Sequence, residues 1–176
     1  MSWQILLLIS VIIFSFSTIL QKIIMRNEKS DPIAYAIFFQ LVTGIIFILF
    51  TFIKGFHLPN LIPLSGALFL MTFFYALGNT LTFKAVKLTD ASEFTILYST
   101  RAFWGILAAV IFLHESFGLL QLFGSVLVFS SVILVTLHKG NFQFNKGGLY
   151  ALVAGICFGF GFATDAYLLR YFDVFS

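Results

Sequence analysis

Residues 81–134 read LTFKAVKLTDASEFTILYSTRAFWGILAAVIFLHESFGLLQLFGSVLVFSSVIL. They hold the end of one apolar run, a short basic loop with Lys84 and Lys87, and two further apolar runs joined at His114-Glu115-Ser116. Arg101 lies inside the first of those two runs. Barrel strands alternate polar and apolar residues over about ten positions, and these runs are longer and continuous. Helices are the other way to satisfy the backbone in lipid, and about 20 residues at 1.5 Å each cross a hydrocarbon core.

On either side of this stretch the same pattern recurs, giving six runs at approximately 3–25, 33–53, 62–83, 92–113, 118–137 and 147–170. Of the 176 residues, 60% are hydrophobic and 10% charged, with a mean hydropathy of +1.05. A soluble chain of this size cannot hide that much apolar surface. The expected fold is an all-α integral membrane protein, a polytopic bundle of six transmembrane helices. No basic residue precedes the first run, which is too long for a signal-peptide core, so it reads as a span.

Several function classes fall away. The net charge of +3 comes from Lys and Arg placed mostly in short loops, where orientation signals belong, so no nucleic-acid partner is expected. Cys157 is the single cysteine and lies in an apolar run. It has no intramolecular disulfide partner and reads as a small core residue. His114-Glu115 lacks the second histidine of HExxH. With no P-loop, catalytic triad or paired central carboxylates, neither an enzyme nor a cofactor or metal is expected.

The informative residues are the polar ones inside the runs. Ser10, Phe14, Ser17 and Gln21 share one face of the first helix. Gln40 sits mid-run in the second, where an unpartnered amide is costly. Thr72, Tyr75, Asn79 and Thr82 form a polar stripe on the third. Tyr98 and Arg101 are one turn apart in the fourth. Arg101 is roughly 12–15 Å from either end of its run, long for snorkelling. Its charge there costs at least about 2.5–3.5 kcal/mol on insertion scales, so a cavity or a partner is expected. Asp165 lies towards the far end of the sixth run, either at surface level or in a cavity. It is offset from Arg101 by about eight positions, roughly 12 Å along the axis, so a direct pair is not expected. Ala151, Gly155, Gly159 and Ala163 recur every fourth residue, a small-residue stripe that admits a second helix closely. The segment HKGNFQFNKGG between the fifth and sixth runs has linker composition.

Residues 3–26 align without a gap onto residues 147–170: Phe14-Ser15-Phe16-Ser17 onto Phe158-Gly159-Phe160-Gly161, Gln21 onto Asp165, and Arg26 onto Arg170. A five-helix unit would then be starting again, and an odd unit reverses its orientation in the membrane. The sequence given stops soon after this sixth run, so a fragment of a ten-helix protein is expected; the alternative is a complete chain that forms a homodimer or joins other subunits.

Ala85, Thr89-Asp90-Ala91-Ser92, Ile96-Leu97, Phe103-Trp104, Phe112-Leu113-His114-Glu115 and Gln121 with Gly124, together with Gln21-Lys22 closing the first run, carry a further signal. In their order and spacing the chain resembles the EamA-like branch of the drug/metabolite transporter superfamily. The resemblance implies two inverted five-helix repeats around a central cavity, and transport of small metabolites without ATP hydrolysis. Residues 1–139 would be the first EamA-like repeat, and 140–176 a linker and the first helix of an incomplete second. Family members often carry a proline in the fourth helix near the position of Arg101, so the resemblance says little about that residue.

The expected function is a secondary transporter of small organic metabolites, amino acids or other anionic or zwitterionic solutes among them, working by alternating access in the cell (inner) membrane. Gln21, Gln40, Tyr75, Asn79, Tyr98, Arg101 and Asp165 are the expected substrate-binding residues, with Arg101 as counter-charge. The alternative is a non-transporting scaffold or accessory subunit, motivated by the small-residue stripe. Lys22, Arg26, Lys29, Lys84, Lys87, Lys139 and Lys146 follow odd-numbered runs, against Lys54 and Arg170 on the other side. The positive-inside rule then places the N-terminus outside, whereas the resemblance implies cytoplasmic termini.

Overall fold

The apolar runs form helices. A computed structural model describes residues 3–54, 59–114, 116, 118–138 and 145–172. Its helices are α1 (Trp3–Met25), α2 (Pro32–Lys54), α3 (Ser65–Leu88), α4 (Ala91–Tyr98), α5 (Arg101–Leu113), α6 (Leu119–His138) and α7 (Lys146–Leu168). No strand occurs among the described residues. With α4 and α5 taken as one span, Ala91–Leu113, five stretches are long and apolar enough to cross a membrane, and α6 is a sixth apolar helix. The chain is a multi-pass helical membrane protein. Lys139, Glu115 and most of the HKGNFQFNKGG linker lie outside the described residues, as does the side chain of Lys54.

Two elements differ from the expectation. The third helix does not stop at residue 83 but runs on to Leu88. Its last turns carry Lys84 and Lys87, whose stems stay in the bundle while their amines find partners. Lys84 Nζ lies 5.9 Å from the Tyr150 ring centroid, and Lys87 Nζ donates to the carbonyls of Glu28 at 3.1 Å and Ser30 at 2.5 Å. Hydropathy ends where charge begins, whereas a helix continues through amphipathic lysines. The fourth run, in turn, is not one uninterrupted helix. At Ser99-Thr100 the backbone tightens to three-residue hydrogen bonds, Thr100 N–H to Leu97 O at 3.3 Å and Ala102 N–H to Ser99 O at 3.1 Å. The Ser99 hydroxyl donates to Ile96 O at 2.6 Å and the Thr100 hydroxyl to Leu97 O at 2.8 Å. Such hydroxyls bond back to the preceding turn and bend a helix without proline.

The basic residues gather at one end. Lys22 Nζ donates to Val86 O at 2.9 Å and also to Thr89 O, fastening the end of α1 to the last carbonyls of α3. A cation at a helix C-terminus also meets the negative end of its dipole. The start of α7 is at the same end: Asn145 caps it by accepting from Gly148 N–H at 2.7 Å, and a Cβ on Gly147 would meet Thr89 and Leu88.

From there α7 runs antiparallel to α3 and parallel to α5, packed between them. Ala151, Gly155, Gly159 and Ala163 are all buried. A Cβ added to Gly159 would lie 2.5 Å from Trp104 Cβ and 2.7 Å from Gly105 N. The small-residue stripe is therefore filled by α5 within the same chain. Most of α1 and α2 is exposed apolar surface, the face a membrane protein turns to lipid.

Gly159→Leu is expected to destabilise the protein by at least about 1–3 kcal/mol, the usual range for overpacking. Gly44→Leu, where nothing lies within 4 Å, is expected to be neutral. Thermal unfolding in detergent separates the two. Lys22→Met, which leaves two α3 carbonyls without their ammonium donor, is expected to lower stability by about 1–3 kcal/mol in the same assay.

Candidate functional site

The tightened turn at Ser99-Thr100 positions Arg101. Thr100 is 1% exposed and sits against Gly155, where a Cβ would come within 2.9 Å of Thr100 Oγ1 and 3.3 Å of Arg101 N. Here α5 begins, close to the midpoint of the span Ala91–Leu113. The Arg101 guanidinium carbon lies 4.5 Å from the ring centroid of Tyr98, 4.9 Å from Phe14 and 5.8 Å from Phe162. Cation–π contact uses the faces of the guanidinium plane and leaves its N–H edges to a planar acceptor.

Arg101 lines a cavity of about 220 Å³. Ser17 and Gln21 of α1, Asn79 and Thr82 of α3, and Tyr98 of α4 supply its polar wall. Phe14, Phe39, Phe94 and Phe158 supply much of the apolar remainder. Gln21 Nε2 donates to Ser17 Oγ at 3.3 Å, and the Thr18 hydroxyl is used on Phe14 O at 3.0 Å. Thr82 Oγ1 is buried with no hydrogen-bond partner. A buried orphan hydroxyl calls for an explanation, such as a bound water or ligand.

Tyr75 and Asp165 are not on this wall. The Tyr75 hydroxyl donates to Asp165 Oδ2, so the Asp165 carboxylate is held by α3 rather than by Arg101. The Tyr75 ring packs against Phe158 and Phe162, centroids 5.6 and 6.4 Å away, and Phe158 meets Tyr98 at 5.5 Å. The ring that holds the carboxylate and the Arg101 guanidinium thus share Phe162 as a neighbour. Gln40 is half-buried on α2 and is not among the residues lining this cavity, although its neighbour Phe39 is. Thr72 and Ser10 are exposed and bond back to Leu68 O and Leu7 O at 2.8 Å each. The polar stripes of α1 and α3 therefore line this cavity only over their halves nearer the basic end.

Sequence reasoning missed Phe158 and Phe162 on α7, together with Phe39 and Phe94. With 25 phenylalanines in the chain, no single ring carries a signal. The i, i+4 pairing of Phe158 and Phe162 on the flank of the glycine stripe is the one pattern that pointed to them.

No curated protein and no solved structure gives a significant match to this chain. A family model described as the EamA-like transporter family matches residues 1–137, which takes in α1 to α5 and nearly all of α6. On that match and this helical architecture, the chain belongs to the EamA-like transporter family, a family of membrane transporters rather than enzymes.

Proposed function

We propose that this chain forms half of the binding site of a secondary transporter for small organic anions or zwitterions, amino acids among them, in the cell's inner membrane. The observation that carries this reading is Arg101, an intramembrane cation set against three rings and lining a polar cavity. A substrate carboxylate would accept two parallel N–H bonds from its fork. Gln21, Asn79 and Tyr98 would bond the rest of the solute, with Thr82 Oγ1 as a further donor. Asp165, held by Tyr75, is the carboxylate at which proton coupling would act.

Alternating access would come from a second, inverted unit opened by α7. In support, α7 is enclosed by α3 and α5, while its sequence counterpart α1 is largely exposed. By pseudo-symmetry α1 would be enclosed in the same way by the second unit. The lysines of the basic end would then lie in the cytoplasm. The scaffold reading is weaker, because the small-residue stripe that motivated it already packs within the chain.

The test uses the native full-length protein in proteoliposomes, with a panel of amino acids, carboxylates and phosphorylated metabolites. Arg101→Gln is expected to reduce flux of the accepted solute on the order of a hundredfold, the scale of losing a buried charge pair. Arg101→Lys, which keeps charge but not the planar fork, should retain part of it. A wild-type protein that moves no member of the panel, or an Arg101→Gln variant that transports normally, would sink this reading.

A further inference from the structure

Arg101 borders a second cavity. About 270 Å³ in volume, it lies on the opposite side of the residue, lined by Gly105, Ala109, Ser116, Gln121 and Phe162 together with Arg101 itself. The two cavities extend towards different ends of the bundle. The first reaches Gln21, near the end of α1, and Phe83 and Phe94, beside the α3–α4 connection. That is the basic end, where Lys22 bonds to Thr89 O. The second reaches Ser116 and Gln121 at the α5–α6 connection, a full span away. Along α7, Phe158 faces the first cavity and Phe162, one turn further, faces the second. The Arg101 guanidinium stacks on Phe162 and on Phe14 and Tyr98 between them.

We infer that Arg101 and Phe162 form the barrier of the permeation path, dividing two water-accessible vestibules that open to opposite faces of the membrane, and that Arg101 serves an anion in both. This rests on the transport reading and deepens it. The geometry suits a hand-off. An anion entering from the basic end meets the guanidinium edge beside Asn79 and Gln21. Reorientation of the flexible Arg101 side chain turns the same edge into the second cavity, past the Phe162 ring. There Gln121, whose Oε1 is used by Gly118 N–H at 2.7 Å, keeps its amide N–H groups as donors. A cation at the constriction also sets selectivity, since it favours anions over cations from either side.

The path can be probed without knowing the solute. In a Cys157→Ala background of the native protein, Ser17→Cys reports the first cavity and Ala109→Cys the second. The probes are two membrane-impermeant methanethiosulfonates, sulfonatoethyl (anionic) and trimethylammonioethyl (cationic), applied to right-side-out and inside-out vesicles. Ser17→Cys should label from one face and Ala109→Cys from the other. Adding Phe162→Ala should let each cysteine label from the far face at least tenfold faster, while Phe162→Leu, which keeps an apolar plug, should preserve sidedness. Adding Arg101→Gln should lower the anionic-to-cationic rate ratio at both positions. If the Phe162→Ala protein is not monodisperse, sidedness in the parent background and the two rate ratios carry the test. Labelling of both cysteines from one face, unchanged sidedness in a folded Phe162→Ala protein, or a rate ratio that shifts at one position only would overturn the barrier. Failure of the transport reading shows up separately, as a wild-type protein that labels as expected but moves no solute.

Discussion

The contact on which the bundle depends is backbone against backbone, where α7 crosses the start of α5. Gly155 and Gly159 leave no room for a Cβ against Thr100, Arg101, Trp104 and Gly105. Lipid tails are as apolar as leucine, so in a membrane helices gain little by hiding apolar surface from one another, and close van der Waals approach takes over. That approach holds the Ser99-Thr100 turn against α7, and the turn holds Arg101. Phe158 and Phe162, on the flanks of the same helix, complete the surroundings of the guanidinium. Packing and site are thus one construction, and a methyl group at Gly159 would disturb both.

The bend in the fourth span has its own logic. Two hydroxyls make it, with no proline in the span. Ser99 and Thr100 bond to carbonyls of the previous turn, where the backbone hydrogen bonds change from four-residue to three-residue spacing. The second half-helix then begins at a cation. A permanent charge at mid-membrane is costly to insert, and here three aromatic rings around the guanidinium offset part of that cost.

The two charged groups of the interior are kept apart. Asp165 is bonded to Tyr75 on α3, whereas Arg101 is set against Tyr98, Phe14 and Phe162. A direct ion pair would neutralise both. The aromatic layer links the two groups mechanically, because Tyr75 packs on the same rings that border the Arg101 cavities.

Sequence alone established the helical membrane fold, the number of apolar spans and the family, because span length and apolarity are local properties set by the thickness of the bilayer. It also singled out Arg101, Asn79 and Gln21, since polar groups stand out in a lipid-soluble chain. It could not tell that Asn79 and Gln21 share a cavity with Arg101 while Tyr75, on the same stripe as Asn79, turns to Asp165. Nor could it tell that Gln40 lies off that wall, or which of many phenylalanines stack on the guanidinium. Helix periodicity fixes a face, but the rotation of one helix against the next is set by where side chains are small enough to let backbones touch. In this protein the glycines of α7 set that rotation, and with it which polar residues meet.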